Sequence, residues 1–324
     1  MKIVSLLPSA TEIVDLLGVG GDLVGRSHEC DFPESIERVQ PLTAQRTSYQ
    51  SPAQVDADVR SALESGDSLY TLDVDRLAEL APDVIVTQDL CDVCSIDLNT
   101  VRGAAKTIAE RTGTEPAVVS LNPETVEDVL DDVLRVGRAI GRERAAFEAV
   151  VDVRGRLHAV QEYVNPYEEG PVVGFMEWTD PIFVAGHWTV QLIERAGGRH
   201  PLNETVARPG TGSAVGPQQA ERVAGKSIRV PAEAYAATRP ENLVIAPCGL
   251  DLAQTRDAVH ALRGQDWFES LPAVEDGRVA LVDGHQHFNR PGPRLADAFA
   301  FLVGFVQDRP NLIPDGFPWE RLGG

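Results

Sequence analysis

Four cysteines and seven histidines are the side chains of this 324-residue chain whose types can do metal or redox chemistry. Cys91 and Cys94 form a Cys-x-x-Cys pair inside DLCDVCSID, Asp89 to Asp97, which is half of the thiolate set that holds zinc or an iron–sulfur cluster. Cys30, in SHEC, and Cys248, after NLVIAP, complete a four-thiolate set if the fold brings them to the pair. Two other readings stay open: small residues packed under a loop, or thiols that exchange electrons. Imidazole binds cobalt and other transition metals, and His28, His187, His285 and His287 stand in loops; His28 and His285 join the cysteines as metal candidates. His285 and His287 are two residues apart, so an extended backbone puts both on one face. His158, His200 and His260 sit in helical or polar contexts and carry no assignment. The chain has no P-loop, no GxSxG elbow and no HExxH helix, and the adjacent His28-Glu29-Cys30-Asp31 do not converge on a point by spacing alone. The expectation is a binding protein and not an enzyme, with a cysteine metalloenzyme as the alternative.

Those residues need strands to hold them. Each cysteine follows a short apolar run of strand type: Leu23 to Gly25, Asp83 to Thr87 (DVIVT), and Asn242 to Pro247. VALVDGHQHF sets His285 and His287 behind another such run, and PVVGFMEW sets Trp178. The carboxyl ends of strands are where open α/β sheets receive ligands. Strand-like runs at Ile3 to Leu7 and Ala117 to Ser120 alternate with helical spacing at Glu12 to Leu17 and Asn99 to Arg111. Asn122-Pro123-Glu124 reads as a helix start with asparagine as N-cap, and helical spacing runs on to Ile140. A second helix, Arg142 to Tyr163, spans on the order of 33 Å at 1.5 Å per residue and reads as a connector. The alternation then resumes, with strands at Pro171 to Phe175, Ile182 to Val184, Leu243 to Ala246 and Val279 to Val282. Helices fall at His187 to Ala196, Pro231 to Arg239 and Asp251 to Leu262, and an amphipathic helix is expected at Leu295 to Gln307; Pro209 to Gly216 reads as a loop. The fold class is α/β: two mostly parallel α/β lobes joined by a single long helix. Residues 1–122 form the first lobe, 123–165 the helices that include the connector, and 166–324 the second lobe.

Composition excludes several partners. The chain is 43% hydrophobic, enough for a sizeable core, and its formal charge of -20 argues against nucleic-acid phosphates and anionic membrane surfaces. Lys2, Lys106 and Lys226 are its only lysines, a pattern that suits either a salt-rich cytosol or GC-rich coding. Lys2 to Leu7 starts a strand with no basic n-region or long h-region ahead of it, and no apolar run approaches the length of a membrane span. The expectation is a cytoplasmic protein without membrane insertion, whose cysteines are thiols or ligands in place of disulfides.

Five segments carry a resemblance: SLLPSATEIVDLLG (Ser5 to Gly18), SHECDFP (Ser27 to Pro33), DRLAELAPDVIVTQ (Asp75 to Gln88), DPIFVAGHWTVQLIERAGG (Asp180 to Gly198) and DGHQHFNRPGPRLADA (Asp283 to Ala298). Together they resemble the helical-backbone substrate-binding proteins and, within these, a leaderless branch of the vitamin B12-binding proteins; haem, siderophore and metal binders share the architecture. The resemblance implies a cobalamin-type corrinoid lying flat in a cleft between the lobes. Position by position, Phe32 matches the aromatic of a DYP-like turn, Gln88, Asp89 and Leu90 a strand-end loop bordering the corrin, and Ile182 to Trp188 a cleft segment with Phe183, His187 and Trp188. Gln286, His287 and Phe288 match a segment that carries an aspartate and a tryptophan in the family, where this chain has Gln286 and His287. Asp75 falls where relatives that dock a transporter use glutamate, so an ABC transporter permease is a partner only if the protein is exported. A corrinoid is large, part apolar and fringed with amides, so its site needs flat aromatic surface and a few polar groups. Trp178, Phe183, Trp188, Phe288 and Tyr49 supply the first, Arg290 and Arg294 can reach amides or phosphate, and Pro8, in the turn into the first helix, is a further ligand-binding candidate.

Overall fold

The computed structural model describes residues 1–46, 49–65, 69–89, 98–208 and 221–323. Contacts divide it into two compact units, the first of Met1–Gln50, Gln54–Pro123 and Glu127–Val153, the second of Ser51–Ala53, Glu124–Val126 and Arg154–Gly324.

The first half of the chain runs β1 (Ile3–Ser5), α1 (Pro8–Leu16), β2 (Leu23–Arg26), β3 (Thr43–Gln45), α2 (Pro52–Ser65), β4 (Tyr70–Leu72) and α3 (Val74–Leu80). It continues with β5 (Val84–Gln88), α4 (Leu98–Thr112), β6 (Ala117–Leu121), α5 (Val126–Ala139) and α6 (Glu143–Gln161), which starts in unit 1 and ends in unit 2. The four main strands of unit 1 lie in the order β2-β1-β5-β6, all parallel, with Val4 beside Ile85 and Ile85 beside Val118. A parallel sheet is covered on both faces, so its strands read as unbroken apolar runs; Ile3, Val4, Val84, Ile85 and Val86 are all buried. Asp73 caps α3 by accepting from the Arg76 N–H at 2.9 Å, and Ala81, left-handed at φ 46° ahead of Pro82, ends it. The resulting core joins Val4, Leu77, Ile85, Val101 and Ile108. One expected helix start is corrected: α5 begins at Val126, not at Asn122. The Asn122 side chain is held by the sheet instead, its Oδ1 accepting from the Asp89 N–H at 2.7 Å and its Nδ2 donating to Ser120 Oγ at 3.3 Å.

The second half runs β7 (Val173–Thr179), β8 (Ile182–Val184), α7 (His187–Arg195), β9 (Val206–Ala207), β10 (Arg222–Val223), β11 (Ile228–Arg229) and α8 (Ala232–Ala237). It ends with β12 (Asn242–Ile245), α9 (Leu252–His260), α10 (Asp266–Glu269), α11 (Pro272–Glu275), β13 (Val279–Val282), α12 (Leu295–Val306) and β14 (Trp319–Arg321). Its sheet has the order β11-β8-β7-β12-β13-β14, parallel in the middle (β7, β12, β13) and antiparallel at both flanks. A capping box between Asp251 and Gln254 starts α9 right after the loop that carries Cys248. The expectation of an amphipathic final helix is corrected: every residue of α12 except Asp297 is buried. A helix that is apolar all round belongs inside, and β14 closes over its end of the sheet. The Gly-, Thr- and Ser-rich loop expected from Pro209 to Gly216 lies outside the described residues.

Candidate functional site

Unit 1 gathers a polar web at the carboxyl ends of β1 and β2. Ser5 Oγ donates to the Leu7 carbonyl at 2.9 Å, and Thr11 Oγ1 lies 2.8 Å from Ser5 Oγ and 3.0 Å from Cys30 Sγ. Cys30 is a buried thiol. His28 Nδ1 is 2.6 Å from Thr43 Oγ1, its Nε2 is 3.1 Å from Glu29 Oε1, and its ring lies 5.3 Å from that of Tyr70. Hydroxyl groups of the protein thus engage the Cys30 thiol and Nδ1 of His28, while His28 Nε2 has no hydrogen-bond partner and lies beside the Glu29 carboxylate. At the end of β5, Gln88 is half-buried and Asp89 exposed; Pro8 is half-buried in the first turn of α1 and Phe32 is exposed. Leu90, Cys91 and Cys94 lie outside the described residues. Among the described residues no group of three or more His, Cys, Asp and Glu side chains is placed to hold a metal ion.

In unit 2 the neighbouring parallel strands β7, β12 and β13 bring their carboxyl ends to one edge of the sheet, with Trp178, Cys248 and the loop 283–294. Cys248 is exposed there. Gly284 is required in that loop, because a Cβ would overlap the Pro247 carbonyl oxygen and Ala246; the loop after β13 therefore lies directly on the loop after β12. Asn289 Nδ2 donates to the carbonyls of Ala246 at 3.1 Å and Gly284 at 2.8 Å, and the Gln286 N–H donates to Asp283 Oδ1 at 2.8 Å. Burial pushes the Asp283 carboxyl above its ordinary range, against that N–H and the nearby His285 and Arg290. Arg290, itself buried, donates from Nη2 to His285 Nε2 at 2.9 Å. A guanidinium has no acceptor atom, so His285 Nε2 is the acceptor and is closed to a metal. Arg294 Nη1 donates to Gln286 Oε1 at 3.0 Å, which fixes the orientation of that half-buried amide.

The expected aromatic surface is only in part a surface. Phe288 is fully buried at φ 65°, edge-on to Phe175 at 5.0 Å and to Phe301 at 6.2 Å. Trp188 is buried beside it and donates Nε1 to the Phe288 carbonyl at 2.7 Å, while the His287 ring packs 4.4 Å from Phe317. These three side chains belong to the core: α12 supplies an apolar bed for the loop that carries His287 and Phe288, and Trp188 of α7 packs beside it. Trp178 and Phe183 differ: they are cross-strand partners in the β7–β8 hairpin and both are half-buried. Trp178 Nε1 lies 3.1 Å from the carbonyls of both Pro52 and Asp180.

One residue of the same region, Glu177, escapes the sequence, and one sequence candidate, His187, takes its character only from the fold. Glu177 precedes Trp178, and loss of water pushes its carboxyl up to about 7, against the Gly186 N–H at 3.1 Å and the Ser227 hydroxyl. Its one sequence signal is a carboxylate inside the apolar strand VGFMEWT. His187 opens α7 in the left-handed region at φ 48°, with its ring stacked 5.6 Å from Trp188. Burial holds its pKa below the ordinary imidazole value, Glu124 opposes that and Lys226 adds to it, and Nδ1 has no hydrogen-bond partner. The result is a neutral imidazole with a lone pair or N–H to offer.

A family model described as a periplasmic binding protein matches residues 3–285, which covers nearly all of unit 1 and most of unit 2. The chain belongs to the periplasmic binding protein family. As such it is a non-enzymatic binder of small solutes. This periplasmic binding protein is 23% identical, over 98% of its length and 81% of the relative's, to the uncharacterized ABC transporter substrate-binding lipoprotein YvrC of Bacillus subtilis. Among solved structures it resembles a periplasmic heme binding protein of Pseudomonas aeruginosa, with a TM-score of 0.68, 19% identity, and 100% of this chain and 98% of the other covered. It also resembles the periplasmic vitamin B12 binding protein BtuF of Vibrio cholerae, with a TM-score of 0.62, 17% identity, and 95% and 97% covered. At those identities the likeness is one of fold. No helix among the described residues is long and apolar enough to cross a membrane.

Proposed function

We propose that this periplasmic binding protein takes a cobalamin-type corrinoid on its strand-end loops. The observation that carries the proposal is the chemistry left available in unit 2: half-buried Trp178 and Phe183 side by side, the oriented amide of Gln286, and the neutral imidazole of His187. A corrin ring offers apolar faces and a fringe of neutral amides, which flat aromatic surface and neutral polar groups satisfy without burying an unpaired charge. Haem is the second reading, supported by the full-length fold likeness to the Pseudomonas protein and by the same imidazole as an iron ligand. Against haem, its carboxylates call for cations, and Arg290 and Arg294 already donate to His285 and Gln286.

The test is a parallel spectroscopic titration with hydroxocobalamin and with hemin. Saturable shifts of the corrin bands, weakened about tenfold (~1.4 kcal/mol) by Gln286→Ala and by Trp178→Ala, are expected. A His187→Ala variant that leaves the protein folded but removes an axial-type spectral change identifies the metal ligand. Tight hemin binding with no response to cobalamin overturns the corrinoid reading in favour of haem.

A further inference from the structure

A cavity of about 620 Å³ opens in unit 2 on the far side of the β7–β8 hairpin from the Trp178–Phe183 pair. Cross-strand partners share a face and successive residues alternate: Trp178 pairs with Phe183 and Thr179 with Ile182, and it is Thr179 and Ile182 that line the cavity. Pro181, Val230, Leu262 and Trp267 are the larger apolar members of its wall, and Ser51 and Gln265 are uncharged polar ones. Thr179 is the anomaly in that wall. The residue is 2% exposed and its Oγ1 is buried without a hydrogen-bond partner, a state that costs free energy. Gln265, also in the lining, is no such partner, because its Oε1 accepts from Trp267 Nε1 at 2.7 Å and its Nε2 donates to the Ala261 carbonyl at 2.8 Å. At the mouth stand the exposed residues Asp180 and Arg229; among the described residues the Arg229 guanidinium has no ion pair or hydrogen bond.

We propose that this cavity is a second binding site, separate from the strand-end loops, for a small carboxylic acid with an apolar body. The body lies along the Ile182, Leu262 and Trp267 wall and the carboxylate meets Arg229, the one cation of a lining whose other charge is Asp180. An amine of the same shape would face Arg229 with the wrong sign. Apolar walls with a few placed polar groups are the usual make-up of small-molecule sites.

The experiment follows the indole N–H resonances of ¹⁵N-labelled protein, with the Trp267 signal assigned by a Trp267→Phe variant, during addition of 3-phenylpropionate, 3-phenylpropanol or 3-phenylpropylamine. A saturable shift of the Trp267 signal by the carboxylate is expected, at least severalfold weaker with the amine. Ala261→Trp, a change at an exposed lining position, abolishes the shift while corrinoid titration is unchanged, and Arg229→Gln lowers the carboxylate's affinity to that of the alcohol. Thr179→Val raises the melting temperature and leaves the probe's affinity unchanged, because it removes a buried hydroxyl that has no partner and does not reach the cavity. No shift at Trp267 at saturating probe, a shift that survives Ala261→Trp, or equal response to the amine overturns the proposal. So does displacement of the probe by bound corrinoid, which would make the cavity part of the first site.

Discussion

Asp132 lies on α5 with its side chain 2% exposed, Oδ1 3.2 Å from Arg135 and Oδ2 without a hydrogen-bond partner. Burial pushes its carboxyl up to about 7; Arg135 opposes the shift, and Asp128 and Asp131 add to it. Its pKa in the native state is above the unfolded value of 3.8, so the folded protein holds the proton more tightly. Stability from this site is therefore full below about pH 4, falls as pH rises towards 7, and stays reduced above that, by up to a few kcal/mol (~1.4 per pKa unit). Asp132→Asn is expected to be more stable than the parent at pH 8 and to lose most of that margin at pH 4–5, as read by chemical unfolding at each pH. Equal stability of the two proteins at pH 8 would sink the assignment. His200 acts with the opposite sign: burial lowers its pKa, the Val173 carbonyl at 2.9 Å and Glu194 oppose this, and its contribution is lost as pH falls below the ordinary imidazole value of 6.5. Helical spacing places Asp132 on the stripe of Val129, Val133 and Val136, so its burial was legible as a position. Its missing partner was not, since that depends on which side chains face it across the core.

The element that most shapes unit 2 is α12. Phe301 stacks on Phe317 at 4.7 Å, lies 5.3 Å from Trp319 and meets Phe288 edge-on, so one helix fixes both β14 and the backbone of the loop that presents Gln286. Phe301→Ala is expected to cost roughly 3–5 kcal/mol and to weaken ligand binding together with Phe288, measurable as a joint loss of denaturation midpoint and of corrinoid affinity. Gly284→Ala should cost roughly 2–4 kcal/mol, because its Cβ overlaps the backbone of the loop after β12; a stable variant with intact binding would show that the two loops are not seated on each other. The apolar runs behind the cysteine and histidine loops announced the strands, and the strand ends with them. The burial of α12 was legible too, in a run with one charge in twelve residues, and expecting a polar face there ignored that count. The flanking antiparallel strands were not legible: β11 and β14 are two and three residues long, too short to show a period, and exist because a neighbouring strand has unpaired N–H and C=O groups to satisfy.

At the scale of the whole molecule, 49 acidic residues against 29 basic ones make self-repulsion a general force on the folded state. Raising NaCl from about 0.02 M to about 1 M shortens the Debye length from roughly 20 Å to 3 Å and is expected to raise the melting temperature; an unchanged or falling value would mean that local ion pairs outweigh the net charge. The sequence by itself determined the α/β alternation and membership of a solute-binding family, because those follow from apolar periodicity and from segments in a fixed order. It also pointed to the loops at the strand ends. Only the tertiary structure decided which residues of those loops remain available: Trp188, His287 and Phe288 went into the core, His285 was closed by Arg290, and Cys30 was enclosed by α1, while Trp178, Phe183, His187 and Gln286 kept something to offer. The reason is that residue type and spacing set what a side chain can do, whereas its availability depends on partners hundreds of positions away in some cases and adjacent in others, and those meet only when the chain packs.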